Sequence, residues 1–293
     1  MLCDLVRTQT EDGMRLDGAF YGAETLTGAE SQSPQAGRGT IVFLHGAGSN
    51  FYGGAISETL ANIMPASGWS VLRANTRGHD SVHTASQAGR GVRQGAAYEI
   101  IDESRLDCAA WIEWARSRGC QNIVLAGHSL GAIKAVYASC ATSPERPNLK
   151  AVLAISPPRL SRAAFQYGPQ SSEFMATLSE AEKNVSDGDG NRLIESPFPF
   201  PMLITCRTFV DKYGGEQYNV LEHVPQLKSP ALFVFGEREL SSGGVAFAGL
   251  HEAVANRATT DQLDVRVVAK ADHFYQGVRE ELGQIVRDWL CER

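Results

Sequence analysis

The sequence has no basic block: its 27 lysines and arginines are spread among 293 residues that carry a net charge of −6. A surface that neutralises nucleic-acid phosphates needs clustered cations, so no nucleic-acid partner is expected. No run approaches the roughly 18 apolar residues of a membrane span. The N-terminal Met1-Leu2-Cys3-Asp4-Leu5-Val6-Arg7 lacks the basic stretch followed by an apolar run that marks an export signal. A soluble cytoplasmic protein with no membrane partner is the expectation. Cys3, Cys108, Cys120, Cys140, Cys206 and Cys291 form no CxxC pair and have no histidine at zinc-finger spacing. Free buried thiols are therefore expected rather than a metal or disulfide framework. Phosphate-cradling loops are missing too, with no GxxxxGK and no GxGxxG that opens a helix after a strand. No cofactor and no metal are expected. A small-molecule substrate is the partner these absences leave, and a homo-oligomer is compatible with all of them.

What is present is apolar mass in the pattern of a layered α/β protein. With 43% hydrophobic and 20% charged residues, the chain can bury one large core, with or without an insertion. Val6–Thr10 and Met14–Tyr21 read as two strands joined by an Asp12-Gly13 turn. Gly28–Gly39 is polar and turn-rich and reads as a surface loop. Strand and helix signals then alternate: strands Thr40–Leu44, Trp69–Ala74, Asn122–Ala126 and Ala151–Ile155, with helices over Ile56–Met64, Asp102–Arg116 and Ala132–Ala138. Continuous apolar strands separated by helices imply a parallel sheet covered on both faces.

The alternation stops between Ser156 and Ser229. That stretch holds a polar helical segment, Ser171–Val185, and Ser196-Pro197-Phe198-Pro199-Phe200-Pro201, whose prolines exclude a regular helix. About seventy residues is far beyond an ordinary connection, so an inserted lid is expected there. The sheet resumes at Ala231–Gly236, followed by a helix near Val245–Ala255, a strand Leu263–Val268 and a closing helix Val278–Leu290.

The chemistry-bearing motif is Gly127-His128-Ser129-Leu130-Gly131, set between a strand and a helix. A tight turn there holds the serine oxygen clear of the backbone, and the flanking glycines let strand and helix approach without Cβ clashes. The competing reading is that Ser129 caps the helix. Four further motifs stand at strand ends: His45-Gly46-Ala47-Gly48, Arg77-Gly78-His79-Asp80, Gly236-Glu237-Arg238-Glu239 and Ala271-Asp272-His273-Phe274.

With these five motifs in this order, the chain resembles the α/β-hydrolase superfamily over nearly its whole length. The resemblance implies an α/β-hydrolase fold: a mostly parallel eight-stranded sheet, helices on both faces, and a lid inserted between strands 6 and 7. The core would span residues 1–156 and 229–293, and the lid 157–228. Ser129 would be the nucleophile, His273 the general base and Glu239 the acid that orients it, with Glu237 as rival. The backbone amides of Ala47 and Leu130 would form the oxyanion hole. Arg77 and Asp80 are read as bracing their loop. Phe198, Phe200, Phe209, Tyr213 and Tyr218 offer either an apolar substrate wall or an anchor for the lid. The candidate pocket residues are His45, Tyr98, Phe198, Phe209 and Tyr213.

The expected reaction is hydrolysis of a carboxylic ester or lactone through an acyl-enzyme. Thioester, amide or carbon–carbon cleavage and acyl transfer use the same residues, and a non-catalytic ligand-binding protein is the alternative from another class.

Overall fold

The computed structural model describes residues 2–24, 37–141, 147–259 and 261–293. The chain opens with a hairpin of β1 (Asp4–Gln9) and β2 (Arg15–Tyr21), whose turn places Gly13 at φ +81. Of the loop expected over Gly28–Gly39, residues 28–36 lie outside the described residues, and Gly39 already belongs to β3 (Gly39–Leu44). Then come α1 (Ala55–Ile63), β4 (Trp69–Ala74), a hairpin of β5 (His83–Gln87) and β6 (Arg90–Gln94), and α2 (Ser104–Arg116). Next are β7 (Ile123–His128), α3 (Leu130–Ser139) and β8 (Ala151–Ile155). The β5–β6 hairpin has no apolar alternation, which is why no strand is read there from sequence. Its turn is made by Ala88 and Gly89, both at positive φ.

Between β8 and the next sheet strand lie α4 (Arg162–Gln166), α5 (Ser171–Ser186), a short hairpin of β9 (Leu193–Ser196) and β10 (Met202–Thr205), α6 (Cys206–Tyr213) and α7 (Val220–His223). The proline-rich segment forms the connection of the β9–β10 hairpin. The chain ends with β11 (Ala231–Gly236), α8 (Glu237–Ser242), α9 (Leu250–Asn256), β12 (Leu263–Val268) and α10 (Arg279–Cys291).

Among the described residues, eight strands make one sheet in the order β1-β2-β4-β3-β7-β8-β11-β12. The pairs β1–β2 and β2–β4 are antiparallel and the remainder parallel. Strands β3, β4, β7, β8 and β11 are buried at every residue, as a sheet covered on both faces requires. The pleat splits their side chains into two cores. Ile41, Phe43, Val124, Leu153 and Val234 pack with α1 and α10 through residues such as Leu60 and Trp289. Val42, Leu44, Leu125, Val152 and Phe233 face the other way, into a core shared with α2, α3, α9 and the insert.

The insert has its own aromatic centre. Phe198 lies 4.8 Å from Phe165, 4.9 Å from Phe174 and 5.6 Å from Tyr213 between ring centroids, and Phe209 lies 5.0 Å from Tyr213. Polar bonds tie the insert to the sheet side: the Thr205 amide donates to the Ala97 carbonyl (2.9 Å), and the Ile101 amide donates to Asp211 Oδ2 (2.8 Å). Among the described residues the cysteines form no disulfide. Cys108, Cys120, Cys140 and Cys206 are buried, whereas Cys3 and Cys291, expected to be buried, are exposed near the chain ends. Among the described residues, no helix is long and apolar enough to cross a membrane.

Candidate active site

Ser129 stands between β7 and α3 with φ +57 and ψ −124, a strained conformation that the close packing around it enforces. A Cβ on Gly127 would overlap the Gly131 carbonyl group, and one on Gly131 would overlap the Leu44 carbonyl oxygen. The two glycines are thus required by the approach of the helix to the strand ends. The Ser129 side chain caps nothing in α3. Its Oγ lies 3.0 Å from Nε2 of His273, on the loop after β12.

His273 Nδ1 donates to Glu239 Oε1 at 2.5 Å, because a carboxylate can only accept; Nε2 is left to accept from the Ser129 hydroxyl. Glu239, in the first turn of α8, is buried and held from its other side. Its Oε2 accepts from Ser156 Oγ at 2.7 Å and from the Gly236 amide at 3.0 Å. The Tyr275 hydroxyl lies 3.0 Å from Ser156 Oγ and donates to the Val234 carbonyl. Glu237 is elsewhere: its carboxylate accepts from the Lys270 amide at 2.7 Å. Of the two glutamates left open by the sequence, Glu239 is the one brought to His273. Ser156 and Tyr275 were missed by sequence reasoning. The available signal was a hydroxyl at the end of the sixth sheet strand, where ligands of such sheets gather.

Two histidines brace the site from beneath. His128 Nε2 donates to the carbonyl of His273 at 2.7 Å. Burial, with the nearby His273, pushes the His128 imidazole down to about 3, so it stays neutral. His45 Nδ1 donates to the Gly46 carbonyl at 2.8 Å, and its Nε2 accepts from the Thr76 amide at 3.1 Å. Burial and then Lys134 push His45 down to about 4. Arg77 is buried in a set of carboxylates, bonding Asp107, Asp12 and Glu103, while Asp80 accepts from Asn50 Nδ2; both residues hold loops in place.

Two cavities meet at this centre and share Ala47, Ser129, Phe200 and His273. One, of about 530 Å³, runs toward α1 past His45, Ile56, Phe274 and Arg279. The other, of about 660 Å³, runs beneath the insert past Leu160, Phe165, Met202, Lys212, Tyr213 and Phe247. The amides of Ala47 and Leu130 donate to no acceptor among the described residues, and both residues border the second cavity. Leu130 opens α3, so its free amide is one of the unpaired donors of a helix start.

Of the pocket candidates, His45 and Tyr213 line these cavities. Tyr98, Phe198 and Phe209 line neither, which corrects their assignment. Phe198 and Phe209 are consumed by the insert's aromatic centre, and Tyr98 is buried at 7% exposure on the loop below it. Phe200, 55% exposed, and Phe247 supply aromatic wall in their stead. Among the described residues, no three His, Cys, Asp or Glu side chains gather as a metal site requires.

A serine in a strained strand-to-helix turn, hydrogen-bonded to a histidine that a buried carboxylate holds, is the geometry that nucleophilic serine chemistry requires. Residues 41–284 match the model of the alpha/beta hydrolase family, and the chain belongs to that family. No curated protein matches the chain. Its fold is shared with Est1E from Butyrivibrio proteoclasticus at 13% identity and a TM-score of 0.65, covering 98% of both chains. An esterase of Pyrococcus furiosus, Pf2001, is 19% identical with a TM-score of 0.60, covering 99% of this chain and 90% of its own. A monoacylglycerol lipase of Paleococcus ferrophilus is 17% identical with a TM-score of 0.63, covering 94% and 98%. The chain thus resembles esterases and lipases in fold, at low identity.

Proposed function

We propose that this chain is a serine hydrolase that cleaves a carboxylic ester or lactone through an acyl-enzyme on Ser129. The observation that carries the reading is the relay Ser129–His273–Glu239, with contacts of 3.0 and 2.5 Å, at the junction of two cavities. His273 Nε2 takes the Ser129 proton as Oγ attacks the carbonyl carbon, and the resulting imidazolium is stabilised by Glu239. The amides of Ala47 and Leu130 receive the oxyanion, which needs donors already aimed and unpaired. His273 then returns the proton to the leaving alkoxide. A water, deprotonated by the same imidazole, releases the acid. The two cavities take the two halves of the ester, and residues 157–228 act as the lid over one of them. The esterase and lipase neighbours agree with this chemistry.

The test is turnover of a panel of aryl esters of increasing acyl length, with wild type beside Ser129→Ala. Loss of turnover by roughly 10⁴-fold or more in the variant is expected. Undiminished turnover by Ser129→Ala would remove the serine from the mechanism.

A further inference from the structure

The cavity beneath the insert has mostly apolar walls, and one charged side chain outside the relay borders it. Lys212, on α6, is 5% exposed and borders that cavity together with Ser129 and His273. Among the described residues its ammonium makes two hydrogen bonds, to the Ala96 carbonyl at 3.1 Å and to Glu99 Oε1 at 2.9 Å. An ammonium has three donors, so one remains.

Glu99 does not take it. Its other oxygen is held by Lys134 Nζ at 2.5 Å, and Lys134 bonds Thr76 besides. Burial opposes the charge on Glu99, but the two lysines outweigh it and hold the carboxyl down to about 2. Two buried ammonium groups thus share one carboxylate. Asp211, next to Lys212 in sequence, accepts from the Ile101 amide and from the Tyr218 hydroxyl, both at 2.8 Å. Burial pushes its carboxyl upward, against ionisation.

Tyr213, the next residue of α6, borders the same cavity, and its hydroxyl has no hydrogen-bond partner among the described residues. Burial and then Glu99 push its phenol upward, further from ionisation, so it remains a donor. Around the two donors the wall is Leu160, Phe165, Met202 and Phe247. A lysine that served only to pin the insert to Glu99 would need no face on the cavity.

We propose, resting on the serine-hydrolase reading, that Lys212 and Tyr213 bind a carboxylate carried by the substrate, so that the preferred esters are monoanionic. Folding has already desolvated Lys212, and a substrate carboxylate gives its remaining donor a charged acceptor. The ester lies in the cavity with its apolar stem against Leu160, Phe165, Met202 and Phe247 and its carboxylate at Lys212 and Tyr213.

The experiment uses matched pairs of esters: phenyl hydrogen glutarate against phenyl pentanoate, and 3-carboxyphenyl butyrate against 3-methylphenyl butyrate. The acid lies on the acyl side in the first pair and on the alcohol side in the second. In at least one pair the wild type is expected to favour the anionic ester by tenfold or more in kcat/KM. Lys212→Met is expected to lower that ratio about tenfold, through KM, and Tyr213→Phe about threefold. Binding of the same pairs to Ser129→Ala, read by calorimetry, separates recognition from turnover. Tighter binding of an anionic ester that is lost on adding Lys212→Met upholds the carboxylate site even if the wild type hydrolyses nothing. Brisk turnover with no charge preference, or a preference that neither substitution alters, overturns it while leaving the hydrolase reading intact. Absence of both binding and turnover overturns it as well. If Lys212→Met does not fold, the Tyr213→Phe ratio decides, since that change keeps the ring.

Discussion

Ser129, His273 and Glu239 stand at the ends of sheet strands, whereas Lys212, Tyr213 and the aromatic centre around Phe198 belong to the insert, and the two halves of the site are held by different forces. On the sheet side the backbone does the holding. Gly127 and Gly131 touch neighbouring carbonyl groups, His128 bonds the His273 carbonyl, and the Gly236 amide bonds Glu239. On the insert side, ring packing and the Lys134–Glu99–Lys212 bridge set the geometry. Even Gly78 belongs to that bridge, because a Cβ there would collide with the Glu99 carboxylate that two lysines pin in place. A half fixed by backbone is suited to chemistry, where small displacements are costly. A half fixed by side-chain packing can vary its cavity without disturbing the relay.

Replacing Glu239 should have the greatest consequence for the sheet side of the site. Glu239→Gln is expected to lower kcat roughly 10⁴-fold with little change in KM, as removal of the orienting charge does in a triad. Glu237→Gln, whose carboxylate among the described residues serves only the Lys270 amide, is expected to stay within about twofold. Equal losses would mean that α8 as a whole, and not one carboxylate, matters. Next in size is Phe198→Ala. Removing a buried ring from the insert's centre is expected to cost about 3 kcal/mol of stability, seen as a lower Tm. Steady-state kinetics on phenyl pentanoate should then show a raised KM with kcat within a few-fold. A collapse of kcat instead would show that the two halves are not separable.

Acid separates them by pH window. His45 and His128 are held neutral, near 4 and near 3 against 6.5 when unfolded, so the unfolded chain binds more protons below pH 6.5. Stability is therefore fully present above pH 6.5 and falls as pH drops toward 4, by up to about 1.4 kcal/mol per pH unit for each histidine. Glu99, near 2 against 4.5, adds a loss that starts only below pH 4.5. Chemical denaturation at pH 7, 6, 5 and 4 should show the first slope, and His128→Gln should flatten it by about half. An unchanged slope would place the proton uptake elsewhere. The smallest effect is expected from Ser156→Ala, which removes one of the hydrogen bonds to Glu239 Oε2 and leaves the Gly236 amide. About a tenfold loss in kcat at unchanged KM follows from a hydrogen bond to a charged group. No loss would mean that Gly236 alone suffices.

Legibility from sequence followed the same division. The strands Trp69–Ala74 and Ala151–Ile155 stand where their apolar runs predict, because parallel strands covered on both faces are mostly apolar, and the edge strand Leu263–Val268, only partly buried, is still marked by its β-branched residues. The β5–β6 and β9–β10 hairpins carry no such pattern and were unread. The aromatic residues of the insert announce burial but not direction. Phe198 and Phe209, candidates for either the substrate wall or the anchor of the lid, lie in the insert's core, while Phe200, two residues from Phe198, faces the cavities.

What the sequence determined by itself is whatever a few adjacent residues enforce: the Ser129 turn between its glycines, the ends of the sheet strands, and the histidine and glutamates placed there. Tertiary structure alone decided between Glu237 and Glu239, brought Ser156 beneath the chosen carboxylate, and joined Lys134, Glu99 and Lys212 across 113 positions of chain. The reason is the range of the forces. Backbone sterics act between neighbours and are written locally, whereas the desolvation of a charge depends on everything that folds against it.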